Sequence, residues 1–100
     1  MNTQIRLHPE EIKIIKETVL NVFGKSDIYV FGSRTDLNKK GGDVDIFVIP
    51  QNYEDLYEKR IKAKILLKDL LFRNVDIVVH KDFEYEIEKE ALKGIKIWKY

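Results

Sequence analysis

Apolar positions recur along this chain in two rhythms, a helical one near each end of its first two thirds and a continuous one between. From His8 to Gly24, Ile12, Ile15, Val19 and Val22 return at spacings of three and four, which predicts a helix with one apolar stripe. Pro9 suits the first helical position, Glu10 and Glu11 favour the positive end of the helix dipole, and Gly24 suits a C-terminal cap. Ile28-Tyr29-Val30-Phe31 is a short β-rich run stopped by Gly32-Ser33, and Val44 to Ile49 is a second, closed by Pro50. Asn52 is a candidate cap for a long helix from about Tyr53 to Leu71, with Leu56, Ala63, Leu67 and Leu70 on one face. Val75 to Val79 reads as a third strand, in a run that looks buried on both sides. Phe83 or Glu84 to Lys93 reads as a last helix ended by Gly94, and Ile95 to Tyr100 as a short edge strand. This order predicts an α/β (α+β) domain: a small mixed sheet flanked by helices.

Composition narrows the class. One hundred residues, 44% hydrophobic and 35% charged, make one small domain spanning residues 1–100. With 18 basic and 17 acidic residues there is no net field to hold nucleic acid. The absence of cysteine excludes disulfides, thiolate zinc sites and cysteine nucleophiles. No apolar run approaches the ~20 residues that span a bilayer and the first residues lack a signal core, so the expected location is cytoplasmic.

Three aspartates stand inside otherwise apolar strands. Asp43 and Asp45 are two apart, so strand alternation aims both carboxylates at one face, ~6–7 Å from each other along the chain. Asp76 interrupts the third strand. If the second and third strands are neighbours, ~4.8 Å apart, Asp76 completes a triangle. Clustered carboxylates repel, and Mg²⁺ removes the conflict because it takes hard oxygen ligands and leaves positions for substrate phosphates. Each acid alone also fits a structural role: Asp43 a turn residue, Asp45 an edge-strand charge, Asp76 a turn acid. Gly32-Ser33 can bring backbone and hydroxyl close to phosphate oxygens, or simply end a strand. Arg34, and less so Lys39 and Lys40, are candidate cations beside a triphosphate. His8 and His80 fit a helix cap or the surface, and Trp98 and Tyr100 either core cover or an interface.

Phe31-Gly32-Ser33-Arg34, Gly42-Asp43-Val44-Asp45-Ile46 and Val75-Asp76-Ile77-Val78 together resemble the DNA polymerase β-like nucleotidyltransferase superfamily, and within it the minimal nucleotidyltransferase (MNT) family of bacteria and archaea. The resemblance covers nearly the whole chain. It implies a mixed sheet flanked by helices and transfer of a nucleoside monophosphate from a triphosphate, with Mg²⁺ as cofactor and ATP as substrate. It implies that Gly32, Ser33 and Arg34 hold the nucleotide, that Asp43 and Asp45 ligate metal, and that Asp76 ligates the catalytic metal and helps activate the attacking hydroxyl. The loop from Arg34 to Gly42 is one residue shorter than the family's usual spacing. Many stand-alone members act as antitoxins that add AMP to a tyrosine of a partner HEPN toxin, and that is the function the resemblance implies here. Two alternatives remain: an inactive fold that masks its partner by binding, and a small-molecule (aminoglycoside-type) transferase that uses a homodimer to build its acceptor cleft.

Overall fold

In a computed structural model of the chain, residues 7–32 and 43–100 are described. They form three helices and one four-stranded sheet: α1 (Pro9–Phe23), β1 (Ser26–Phe31), β2 (Val44–Pro50), α2 (Leu56–Leu71), β3 (Val75–Val79), α3 (Glu86–Leu92) and β4 (Ile95–Trp98). The sheet order is β3-β2-β1-β4. β1 runs antiparallel to both β2 and β4, while β2 and β3 are parallel, joined by the α2 crossover. The expected mixed sheet with flanking helices is therefore present.

One face of the sheet carries the core. Ile28 and Val30, Val44, Ile46 and Val48, and Val75, Ile77 and Val79 alternate inward and meet Ile15, Val19 and Phe23 of α1 and Ala63, Leu67 and Leu71 of α2. Burying each of the larger side chains contributes about 1.5–3 kcal/mol. At the start of α1 the His8 amide donates to Glu11 Oε1 at 3.0 Å, so the acid three residues on satisfies a donor that the helix leaves free. Gly24 ends the helix at φ +81°, a region that glycine enters at little cost.

Several expectations need correction. The second helix begins at Leu56 instead of Tyr53. Asn52 Oδ1 accepts the Glu54 amide at 2.8 Å, which makes a local turn and not a helix cap. Leu71, not Leu70, reaches the core; Leu70 is 51% exposed. Nor is β3 buried on both sides. It is an edge strand whose Val75, Ile77 and Val79 face the core while Asp76 faces out. The Asp76 side chain is 67% exposed, so its charge stays hydrated.

The second face of the sheet is only partly covered. Phe47 is fully buried there, with the Tyr29 ring at 5.9 Å and the His80 ring edge-on at 6.4 Å. Glu88 and Ala91 of α3 are buried apart from the main core. Beyond Phe47, among the described residues, burial falls off toward the first residue pairs of β2 and β3, where Asp45 is half-buried and Asp76 exposed. Among the described residues no helix is long and apolar enough to cross a membrane.

Candidate functional site

The open end of that face is built by strand register. Asp45 pairs across the antiparallel ladder with Phe31 and across the parallel ladder with Asp76. Residues opposite one another share a face, so the Asp45 and Asp76 carboxylates stand side by side on adjacent strands ~4.8 Å apart. The neighbouring-strand condition on which the third acid depended is met. Asp43 lies just before β2, where its Oδ1 accepts from Asn74 Nδ2 at 3.4 Å. The Asn74 carbonyl accepts the Val44 amide at 2.9 Å, which ties the entries of β2 and β3 together.

Gly32 follows β1 directly and has φ +91°. A Cβ built there would lie 2.0 Å from Asp45 Oδ2 and 2.8 Å from its Cγ. Both conditions require glycine: the backbone adopts a conformation that side chains resist, and the Asp45 carboxylate fills the space a methyl group would take. A glycine at the end of a strand is a weak sequence signal. Its contact with Asp45 makes Gly32 part of the same site. Ser33, Arg34, Lys39, Lys40 and the Gly41-Gly42 pair lie outside the described residues.

Three contributors were not apparent from the sequence. Lys64 of α2 reaches around the β3 edge to Asp76 Oδ1 at 3.3 Å, an exposed ion pair. One helical turn earlier, Arg60 Nε donates to the Ile77 carbonyl at 2.7 Å. Nothing separates Lys64 from the other lysines of a lysine-rich helix. Only its place one residue after the buried Ala63, beside the strand edge, sets it apart. Asn74 read as a strand boundary, and it is also the partner of Asp43.

The donor set suits a hard divalent cation: carboxylate oxygens, crowded on one open face, with a glycine backbone at their side. Among the described residues no three acids or histidines stand close enough to enclose an ion as they are. Asp43 is engaged by Asn74 and Asp76 by Lys64, both through exposed contacts.

The histidines belong elsewhere. His8 caps α1. His80, only 19% exposed, shares a 2.7 Å hydrogen bond with Glu88 and stacks on Phe83, so it is not a surface residue. Burial opposes the Glu88 charge, but His80 and the Lys81 and Asp82 amides outweigh it and hold its pKa below the ordinary carboxylate value. Glu11 follows the same pattern: burial raises it, while the His8 amide and Arg73 bring it below the ordinary value. Trp98 lies on the β4 edge under Lys16 Nζ, 4.4 Å from its ring centroid. The Tyr100 amide donates to Asp27 Oδ1 at 2.7 Å.

Comparison with known proteins gives three results. Residues 12–100 match the family described as polymerase beta, nucleotidyltransferase. Among curated proteins, none is similar in sequence at a significant level. Solved structures share the fold. One is the tri-AMPylated HEPN toxin of Shewanella oneidensis in complex with its MNT antitoxin (19% identity, TM-score 0.71, covering 91% of this chain and 71% of that one). Another is the toxin–antitoxin pair MntA-HepT (17%, TM-score 0.71, 93% and 74%). A third is a toxin–antitoxin structure with AMP-PNP (23%, TM-score 0.70, 90% and 73%).

Proposed function

Because this chain belongs to the polymerase beta nucleotidyltransferase family, we propose that it transfers AMP from ATP to a tyrosine hydroxyl of a HEPN-type toxin and so acts as the antitoxin of the pair. The observation that carries this reading is the pairing of Asp45 with Asp76 across β2 and β3, with Gly32 closed against Asp45. The fold shared with an MNT antitoxin in complex with a tri-AMPylated toxin supports the choice of acceptor. The AMP-PNP complex supports an adenine nucleotide.

In this reading Asp43, Asp45 and Asp76 hold Mg²⁺, which offsets the charge of the triphosphate. The Gly32 backbone, lacking a Cβ, lets phosphate oxygens approach the end of β1, where Ser33 and Arg34 follow. The acceptor oxygen bonds to the α-phosphorus as the bond to the bridging oxygen breaks. Pyrophosphate leaves with that electron pair, and Asp76, the most exposed of the strand acids, takes the hydroxyl proton.

The test is direct. Purified chain, ATP, Mg²⁺ and the helical protein encoded beside it should give a partner heavier by AMP, at a tyrosine found by mass spectrometry. Proven ATP binding with no adduct on the partner would overturn the reading.

A further inference from the structure

We propose that Lys93, at the junction of α3 and β4, is a further nucleotide-binding residue that takes the β- and γ-phosphates of the triphosphate. The proposal rests on the nucleotidyl transfer above and assigns the end of the site toward which pyrophosphate departs.

Strand register lays this site out as a single row. β1 pairs with β4 at Val30 and Ile95, so the next antiparallel pair is Phe31 with Gly94. Phe31 in turn pairs with Asp45, and Asp45 with Asp76. Gly94, Phe31, Asp45 and Asp76 thus stand side by side across the sheet, each ~4.8 Å from the next. Close approach extends the pairing past the start of β4: a Cβ built on Gly94 would lie 2.3 Å from the Val30 carbonyl oxygen and 2.6 Å from Phe31 Cβ. Glycine at this position brings the α3–β4 junction against the end of β1, much as Gly32 brings the end of β1 against Asp45.

Lys93 is the residue this packing carries to that end of the row. Glu88 and Ala91 anchor α3 by burial. The last turn is drawn tight by the Lys93 amide on the Glu90 carbonyl at 3.1 Å and the Gly94 amide on the Ala91 carbonyl at 2.9 Å. The helix cap is therefore held one residue from Gly94, with Lys93 itself exposed. The lysines on either side are engaged. Lys89 Nζ lies 3.7 Å from Glu84 Oε1, and Lys96 Nζ lies 3.8 Å from Asp27 Oδ2 and over the Tyr29 ring. Lys93 forms no ion pair among the described residues. Its flexible four-carbon stem can carry the ammonium to the end of β1.

The two ends of the row then have different duties. Asp76, on β3, receives the acceptor hydroxyl. Attacking and leaving oxygens lie roughly in line across a transferring phosphoryl group, so pyrophosphate departs along the row toward β1 and β4. It leaves with the electron pair of the broken bond, and an ammonium at that end stabilises the added charge. Lys64, the cation paired with Asp76, stands at the opposite end.

The experiment titrates the full chain with Mg-ATP by calorimetry, comparing wild type with Lys93→Gln, Lys93→Arg and, as a control on the same helix, Lys89→Gln. Lys93→Gln should weaken Mg-ATP binding roughly tenfold, as for loss of one charged hydrogen bond, with the melting temperature unchanged. Lys93→Arg should restore most of that affinity. AMP, read by competition against Mg-ATP, lacks the outer phosphates and should bind wild type and Lys93→Gln alike. Wild-type affinity for Mg-ATP in Lys93→Gln overturns the proposal, as does an equal loss for AMP or an equal loss in Lys89→Gln. A fall in melting temperature that accounts for the lost affinity makes Lys93 a helix cap and also overturns it. Wild type that binds Mg-ATP through Lys93 but adds no AMP to the partner keeps the phosphate contact and removes only the proposed activity.

Discussion

Two acids on the same side of this sheet are treated in opposite ways. Glu88 is 1% exposed, yet its carboxylate accepts from the Lys81 and Asp82 amides at 2.6 and 3.0 Å and shares a 2.7 Å bond with His80. Asp45 faces another carboxylate, Asp76, across the parallel ladder, with Gly32 pressed against it. The first acid is surrounded by donors, so its charge helps hold the β3–α3 connection together. The second stands directly opposite another carboxylate on the neighbouring strand. Like charges directly opposite one another cost a sheet stability, and under the proposed function a bound cation with a triphosphate would recover that loss. Burial alone therefore does not separate a structural acid from a functional one; the sign of the neighbouring groups does.

This contrast can be broken in several places. Asp45→Asn should have the largest effect, lowering AMP transfer by roughly 10²–10³, as for removal of one electrostatic contact to a developing charge. Without Mg²⁺ the same variant should melt no lower than wild type, because one of two repelling charges is gone; a fall in melting temperature would make Asp45 a structural acid after all. Glu88→Gln should invert that pattern, losing about 2 kcal/mol of stability, a Tm fall on the order of 10 °C in a domain of this size, with transfer per folded molecule unchanged. Gly32→Ala bridges the two classes: the positive φ and the clash with Asp45 should cost at least about 1–2 kcal/mol and weaken nucleotide binding together. Equal nucleotide affinity in that variant would detach Gly32 from the site.

Acid titration gives a smaller and separate handle. The Glu88 pKa is held below the ordinary value, so its contribution is complete above the unfolded-state pKa, near 4.5, and is lost as pH falls through the lower folded value. Acid denaturation should thus be less steep in Glu88→Gln than in wild type. Smallest of all, Lys64→Gln should change stability by no more than about 1 kcal/mol, because its pair with Asp76 is solvent-exposed. A larger loss would mean that the ion pair, and not the strand edge, positions Asp76.

Much of this was legible along the chain. β-branched runs, bounded by Gly42 and Pro50 in one case and by Asn74 and Lys81-Asp82 in the other, located β2 and β3 to within one residue, and the edge position of β4 followed from its lysines. Strand alternation is local and puts Asp45 on the face of Phe47, but Asp43, expected to share that face as a strand residue, falls just before β2. The partner of Asp45 could not be assigned that way, since strand adjacency is a long-range property. Asp76 looked buried because Val75, Ile77 and Val79 are identical in character on a central or an edge strand. Helix α2 was misjudged for a related reason. Leucines at 66, 67, 70 and 71 offer two apolar faces, and only contact with α1 and the sheet selects Leu67 and Leu71. Lys64 could not be singled out by type or spacing; it matters through the edge it reaches across.

The parallel pairing of β2 with β3 also has a consequence in time. Gly32 and Asp45 are joined by the β1–β2 ladder, whereas Asn74 meets Asp43 across a separation of 31 residues, through the whole of α2. Closing that crossover costs loop entropy that the ladder repays only after the helix has packed. Refolding kinetics should therefore show the β1–β2 pairing, with Gly32 beside Asp45, forming before β3 brings Asp76 alongside. Under the proposed function, competence for transfer should then appear only with the last step of folding, when β3 has docked.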